Sequence, residues 1–359
     1  MRCVFGLLVA VMLVACSETP ASWPLQAPLP ERLEDLGVLE RDGDALRPRS
    51  GFAYDLGHAL FSDYSSKYRT VHLPDGQAAA ANGAEAASVL QFPVGTIITK
   101  TFYYPVAGDG VALRLAPGIA GPDEPLALAG MRLVETRILR HQAEGWEAVA
   151  YLWDADGREA RRTNVGALLE LTAEDGRTFD YLVPDRNQCA ACHGGGREQR
   201  ALAPIGPKPA NLAALEWPAH GDQYAVWRQR TWVEDDTEVT AWPRGPDARA
   251  YLDVNCAHCH RGSGTAASAG LDLRYDAQRA FELGVCKPPV AAGRGAGGLA
   301  VGIWPGRPEA SIMMYRMAHS DPAVMMPELG RSLVHHEAVA LVGAWITELE
   351  GDCTHAGLL

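Results

Sequence analysis

The stretch Val134-Glu135-Thr136-Arg137-Ile138 decides the kind of fold that this chain can form. Apolar or β-branched residues alternate here with charged residues, and a period of two sends successive side chains to opposite faces of a strand. The run continues on both sides, from residue 131 to residue 139. We therefore predict a β-strand over this range with one buried face.

Further β-branched and aromatic runs lie on either side, at residues 96–104, 146–153 and 178–183. Asp-Gly dipeptides lie between or beside these runs, at residues 75–76, 109–110, 156–157 and 175–176. Such a pair favours a hairpin turn because glycine tolerates the positive φ that the turn requires. The pattern predicts a β-rich domain over residues 51–187, built as an antiparallel sandwich or barrel. Residues 54–69 are expected to pack against its side as irregular chain.

The pattern becomes helical after Gly245. Gly245-Pro246-Asp247 is a typical helix start, and further helices are predicted at residues 308–318 and 332–350. The last helix carries an apolar stripe at helical spacing, which indicates a side that faces a core. We predict an all-α domain over residues 245–353, so that the fold class of the whole chain is α+β.

Two copies of one short motif carry the strongest chemical signal. Cys189-Ala190-Ala191-Cys192-His193 and Cys256-Ala257-His258-Cys259-His260 both read C-x-x-C-H, the attachment signature of c-type haem. Two thiols on one helical turn can form thioethers with one porphyrin, and the histidine that follows can bind the iron. We predict two haem c groups, with Cys189, Cys192, Cys256 and Cys259 as attachment residues and His193 and His260 as iron ligands. Residues 188–244 then hold the first motif and a connector to the second.

Two other interpretations of the cysteine pairs remain. Four cysteines in two pairs can form a zinc site, and a single C-x-x-C can be a redox dithiol. The zinc interpretation leaves both histidines without a role. A redox dithiol of the thioredoxin type lies near a βαβ pattern, and no such pattern surrounds either motif.

A methionine is a candidate sixth ligand for the second iron. Met326 stands directly before Pro327 and after a short helical piece. A thioether is a soft ligand that raises the reduction potential of haem iron relative to two histidines. Met325, Met317 and His319 are alternatives, as is an iron with no sixth ligand, and Arg307 is a candidate contact for a haem propionate.

The sixth ligand of the first iron is less defined, because no methionine occurs between His193 and Met313. The iron is either five-coordinate, with an open position, or bound by a residue from elsewhere in the chain. The candidates are His220, Lys208, Met131, His141, His72 and His58.

The first fifteen residues are typical of a secretory signal peptide, with Arg2 followed by an apolar run to Val14. Leu13-Val14-Ala15-Cys16 resembles a bacterial lipobox, in which Cys16 becomes the lipidated first residue. Ser17 after the cysteine favours the outer membrane of a Gram-negative cell. Residues 16–50 then form a proline-containing tether and an N-terminal extension. We expect the protein on the periplasmic side or at the cell surface, bound to the membrane only through this lipid.

The composition excludes several other classes of protein. The chain has 359 residues, of which 47% are hydrophobic and 21% charged, so it is globular and not disordered. The net charge is −12, and no basic run is present, which argues against nucleic acid as a partner. An acidic surface instead suits docking to a basic redox partner protein. Cys286 and Cys353 remain after haem and lipid are assigned and are either a disulfide or free thiols.

Several segments resemble the signatures of an exported bacterial di-haem c-type cytochrome family. They are residues 51–56, 60–65 with Lys67 and Arg69, 135–137, 188–189, 255–260, 284–287 and 325–330. The order of helix, C-x-x-C-H, long loop, short helix, Met-Pro and terminal helix also resembles a class I cytochrome c domain. The resemblance implies two haems and electron transfer but no substrate. The alanine-rich insert at residues 78–87 departs from the family pattern.

Electron transfer through two covalent haems is therefore the expected function. One alternative is a di-haem peroxidase-like enzyme in which the first haem is open. Another is a binding module formed by the β domain, with the haem domain as its electron outlet.

The lipidation of Cys16 is testable by substitution. We expect Cys16→Ser to release the protein from the membrane fraction or to block its processing, because no other anchor is predicted. Membrane fractionation and the intact mass of the mature protein measure this. Unchanged processing, mass and membrane association in the variant would show that the prediction is wrong.

Overall fold

The structure is a computed structural model that describes residues 26–81, 88–195, 201–234, 238–291 and 293–354. The predicted signal peptide and the lipidation residue Cys16 lie outside the described residues, as does most of the alanine-rich insert. Within the described ranges, no helix combines the length and the apolar character needed to cross a membrane.

The described chain is a mixed α and β structure. Its strands are β1 (Leu39–Asp42), β2 (Ala45–Pro48), β3 (Phe52–Tyr54), β4 (Ser66–His72), β5 (Ala79–Ala80), β6 (Ile97–Ala107), β7 (Gly110–Val111), β8 (Leu126–Ala127), β9 (Met131–Gln142), β10 (Gly145–Trp153), β11 (Ala160–Thr163), β12 (Ala167–Thr172), β13 (Thr178–Val183), β14 (Glu216–Trp217), β15 (Gly221–Asp222) and β16 (Val233–Glu234). Its α-helices are α1 (Arg186–His193), α2 (Pro209–Ala213), α3 (Gln223–Gln229), α4 (Ala248–Leu252), α5 (Ile312–Met317) and α6 (His336–Glu348).

A large antiparallel sheet forms the centre of the N-terminal part. Its strands follow the order β11-β10-β9-β6-β4-β3, and β7 pairs with the end of β6. The predicted runs at 96–104, 131–139, 146–153 and 178–183 correspond to β6, β9, β10 and β13. Three of the four Asp-Gly pairs lie at the connections of the β6-β7, β10-β11 and β12-β13 hairpins. The prediction of an antiparallel β region is confirmed.

The sheet is open, so the prediction of a barrel is wrong. Its outer strands β3 and β11 do not pair with each other. Both are short, with three and four residues, and the β12-β13 hairpin forms a separate two-stranded unit instead of extending the sheet. Too little strand length remains at either edge for the ladder to close.

Residues 54–69 are not simply irregular chain, because they end in β4, an inner strand of the sheet. All seven residues of β4 are buried, including Lys67 and Arg69. A strand with charged residues on one face normally presents that face to water. The charged residues therefore made β4 look like a solvent-exposed segment in the sequence, whereas both of its faces are buried.

Both faces of the central sheet pack against other elements. One face meets the N-terminal segment in a core that includes Leu33, Leu46 and Ile138. The opposite face meets α2 and α3 in a core that includes Ile98 and Trp227. We predicted that β9 has one buried face, and that face is buried. Its opposite, charged face is buried at Glu135 as well.

The chain after residue 245 contains short helices and turns. The carboxylate of Asp247 caps α4 by accepting from Ala250 N, and residues Asp253–Ala257 continue α4 as a π-helical turn. The predicted pieces at 308–318 and 332–350 correspond to a 3₁₀ turn with α5 and to α6. An all-α cytochrome c-like domain is not shown, because the Gly- and Pro-rich chain between these helices forms isolated bridges such as Val285–Ile303. Cys286 and Cys353 form a disulfide that ties this chain to the C-terminal end of the described residues.

Candidate functional site

The first C-x-x-C-H motif is the last part of α1. This helix starts with a capping box, in which the Asp185 side chain accepts from Gln188 N and the Gln188 side chain accepts from Asp185 N. Cys189 and Cys192 lie three residues apart and therefore share one side of the helix. The helix follows β13 after a turn of two residues, so both thiols lie next to the central sheet.

His193 is oriented for metal binding through its Nε2 atom. Its Nδ1 lies 2.8 Å from the carbonyl oxygen of Ala203, and because a carbonyl only accepts, the ring donates from Nδ1. Nε2 then carries the free lone pair, as in most metal-binding histidines. Burial, together with the positive charge of Lys100, lowers the pKa of His193 to about 4, which keeps the ring in the neutral form that binds metals.

The second motif continues the π-helical turn after α4. Burial raises the pKa of Cys256 to about 12, so this thiol keeps its proton at neutral pH. Burial also lowers the pKa of His260 and favours its neutral ring. The Nδ1 atom of His260 is buried and has no hydrogen-bond partner among the described residues.

Each motif opens onto a cavity of its own. The first cavity is about 170 Å³ and is lined by Cys189, Cys192 and His193 together with charged residues of β4, β6 and β9. This volume lies below the range of about 300–1,000 Å³ typical of cofactor sites, so a porphyrin there requires the walls to move apart.

The second cavity is about 460 Å³, which is within the range typical of cofactor sites. Cys256, Cys259 and His260 all line it. Two of the four candidate ligands for the second iron, Met326 and Met317, also line this cavity. The other two do not, because Met325 is buried elsewhere and His319 Nδ1 lies 2.5 Å from the Tyr315 carbonyl.

One of the six candidate ligands for the first iron lines the first cavity. Lys208 does so, with its ammonium group 2.5 Å from the Asp253 carboxylate. His58, His72 and His141 each have one ring nitrogen in a hydrogen bond, to Pro243 O, Thr70 Oγ1 and Phe92 O respectively. Met131 and His220 do not line the first cavity either. A further histidine, His258, faces both cavities, although it occupies only a spacer position in the C-x-x-C-H pattern.

The two motifs are in direct contact. Thr265 Oγ1 donates to the carbonyl oxygen of Ala191 at 2.9 Å, and Cys259 Sγ lies 3.8 Å from the same oxygen. The ligand atoms of Cys192, His258 and Cys259 lie within 4.8 Å of one another. A hydrogen bond from Cys192 lowers the pKa of Cys259. The spacing of the motifs along the chain contains no information about this contact.

Arg331 is a buried residue at the second cavity that belongs to no recognisable sequence motif. Its guanidinium donates to the carbonyl oxygens of His319 at 2.8 Å, Met326 at 2.9 Å and Leu333 at 3.1 Å. Arg307, the candidate propionate contact, lies elsewhere, since it covers the ring of Trp304 and does not line either cavity. Arg331 therefore holds the segment that presents Met326 to the cavity.

Comparisons of the chain with protein-family models, with curated proteins and with solved structures found no match. Functional inference therefore rests on the residues of the two cavities. Each cavity combines a pair of thiols with a neutral imidazole, and the second adds a thioether. Such donors suit covalent attachment of a porphyrin, or the binding of a soft or borderline metal ion.

The role of Arg331 predicts a measurable loss of stability. Arg331→Gln leaves buried carbonyl groups without donors, so we expect the free energy of unfolding to fall by about 1–3 kcal/mol. Amide hydrogen exchange should also become faster over residues 319–326. Arg307→Gln is the control, because Arg307 is exposed and should change neither quantity. Equal stability of the two variants would contradict this role.

Proposed function

We propose that this protein is an exported di-haem c-type cytochrome that transfers electrons, with one haem held at residues 189–193 and the other at residues 256–260. The observation that supports this most directly is that each motif presents both thiols and the imidazole to a single cavity. A zinc site or a redox dithiol requires no such cavity.

A bound haem supplies an iron atom that takes up and releases one electron. The protein's part is to attach the group, to orient the axial ligand and to exclude water. At the first site, the Ala203 carbonyl fixes the His193 ring so that Nε2 is the metal-binding atom. At the second site, Met326 supplies a thioether, and Arg331 holds its backbone.

We further propose that the chain after residue 245 has a class I cytochrome c-like arrangement and that the whole belongs to the exported di-haem family that it resembles. The order of α4, Cys256–His260, α5, Met326 and α6 supports this. In the same proposal, Cys16 carries lipid and anchors the protein to the outer membrane. The net charge of −12 then favours a basic redox partner protein.

The contact between the motifs supports electron transfer from one haem to the other. The two cavities share wall residues, namely Cys192, Asn255, His258, Pro327 and Leu329. The two cavities therefore adjoin each other along these residues, and haems held in them would lie close together. The rate of electron transfer falls steeply with distance, so this arrangement favours fast exchange between the two irons.

A metal site is the second candidate function, because Cys192, His258 and Cys259 already lie within ligand distance of one common point. Two thiolates, one imidazole and a fourth donor match a tetrahedral zinc centre. This alternative uses one cysteine from each motif and gives no role to Cys189, Cys256, His193 or His260. Haem uses all of these residues, and for that reason we favour it.

The number of haems per chain distinguishes the two candidates. We expect protein matured by a cytochrome c assembly system to carry two haems. Cys189→Ala with Cys192→Ala should leave one haem, and Cys256→Ala with Cys259→Ala should also leave one. A pyridine haemochrome assay and the intact mass measure this. The matched control is Cys286→Ser with Cys353→Ser, which should keep both haems.

Metal analysis of the same proteins tests the alternative of a zinc site. Native protein that contains one zinc ion and no haem, with zinc lost in Cys192→Ala and in Cys259→Ala, would favour the metal site. Two haems that persist in both double variants would contradict attachment at these motifs.

The ligand assignment of the second haem predicts unequal haems. Met326→Ala should abolish the near-infrared band of methionine-ligated ferric haem and lower one reduction potential, because a thioether favours ferrous iron. The other potential should stay nearly unchanged. Spectroelectrochemistry measures both. Met325→Ala is the control, since Met325 does not line the cavity. A band that survives in Met326→Ala but disappears in Met325→Ala would show that Met325, and not Met326, is the sixth ligand.

A further inference from the structure

Three cations stand side by side across the central sheet. Arg69 on β4 is directly opposite Lys100 on β6, and Lys100 is directly opposite Arg137 on β9. All three side chains line the first cavity. Like charges directly opposite each other on neighbouring strands are destabilising, so this register requires negative charge close by.

The described residues supply only part of that charge. Asp55 pairs with Arg69 at 2.9 Å, and Glu135 pairs with Arg137 at 2.5 Å. The Lys100 ammonium lies over the ring of Phe102, and no carboxylate in the described part of the chain is within salt-bridge distance of it. Burial, with Arg137 and Arg69 nearby, lowers the pKa of Lys100 to about 7, as expected for an ammonium group that lacks a negative partner.

A fourth basic group lies beside the row. Lys67 is buried on the same strand as Arg69, and its amino group donates to the Ser65 carbonyl. Burial and the neighbouring cations lower the pKa of Lys67 well below its usual range, so this group adds no full charge to the row. Asp55 and Glu135 offset two of the three positive charges in the row, which leaves Lys100 without a carboxylate partner among the described residues.

The row next to the cations is apolar. Ile98 on β6 and Leu139 on β9 are directly opposite each other, two residues from Lys100 and Arg137 on the same face. Both line the same cavity. The face that the sheet presents to Cys189 and His193 thus has an apolar row and, about one side chain away, a cationic row. A porphyrin has the same division, since its ring is apolar and its two carboxylates project from one edge.

We propose that the row Arg69–Lys100–Arg137 binds the two carboxylates of the porphyrin held at residues 189–193. This inference rests on the proposed function. Lys100 is the cation of the row that has no carboxylate partner among the described residues, so it can pair with a carboxylate of the haem. A small free anion has the same chemistry, so the experiment distinguishes the two.

The first measurement is the reduction potential of each haem in Lys100→Gln. A cation beside the haem disfavours ferric iron, so its removal should lower the potential of the first haem and leave the methionine-ligated haem unchanged. Lys100→Arg keeps the charge and should restore the native value. Arg132→Gln is the matched control, because Arg132 is an exposed cation on β9 that does not line the cavity.

The second measurement needs no variant. In the native holoprotein, carbodiimide with an amine should leave the carboxylates of the first haem unmodified, because the cationic row shields them. Unfolded protein should be modified fully, and mass spectrometry of the haem peptide with residues 189–193 reports both. Sulfate and nitrite, added as probes of a free-anion site, should not change the Soret spectrum of the first haem.

Three outcomes would overturn the proposal. The first is a Lys100→Gln protein that keeps both haems and both native potentials. The second is amidation of the first-haem carboxylates in native protein. The third is a saturable response to sulfate or nitrite that is lost in Lys100→Gln, which assigns the row to a free anion. Failure of the proposed function is recognised separately, because the native protein then contains no haem.

Discussion

The burial of charge on the central sheet is the constraint on which the rest of the structure depends. The Glu135 carboxylate is fully buried, accepts from Arg137 and receives the hydroxyl of Tyr181 at 2.8 Å. An unpaired charge there costs several kcal/mol, so these contacts favour one position of β13 against β9. Because β13 leads directly into α1, the same contacts also place the first pair of thiols.

The segment between β3 and β4 joins this sheet to both motifs. Its backbone at His58 exchanges two hydrogen bonds with the Asn211 side chain, and Phe61 N donates to Asn255 Oδ1 next to the second motif. Farther along, the Asp63 carboxylate accepts from Ser332 N and Leu333 N at 2.7 Å each, beside the segment that carries Met326. Residues 58–63 thus connect β4, α2, the second motif and the chain before α6. A polar loop can be this well ordered because buried amides and carboxylates satisfy its backbone.

Local sequence patterns predicted most of the longer strands and helices. They did not predict whether the sheet closes into a barrel or which elements contact each other. The alternation in 131–139 and the Asp-Gly turns gave β9 and three hairpins, since both depend on neighbouring residues. β4 was missed because Lys67 and Arg69 resemble a solvated segment, and their burial is decided by distant partners. The open sheet depends on the short edges β3 and β11, which no periodicity encodes. Likewise, the residues of both motifs were evident from C-x-x-C-H, whereas the contact of Thr265 with Ala191 arises only from the fold.

The distribution of charge links the interior of the protein to its surroundings. The chain carries a net charge of −12, yet three cations, Arg69, Lys100 and Arg137, line the first cavity. Exposed charges act over about 10 Å at moderate salt and can steer a basic partner without binding it tightly. Buried cations are screened far less and act on whatever occupies the cavity. The charges at the surface and the buried cations of the sheet are therefore screened to different degrees, although they belong to the same chain.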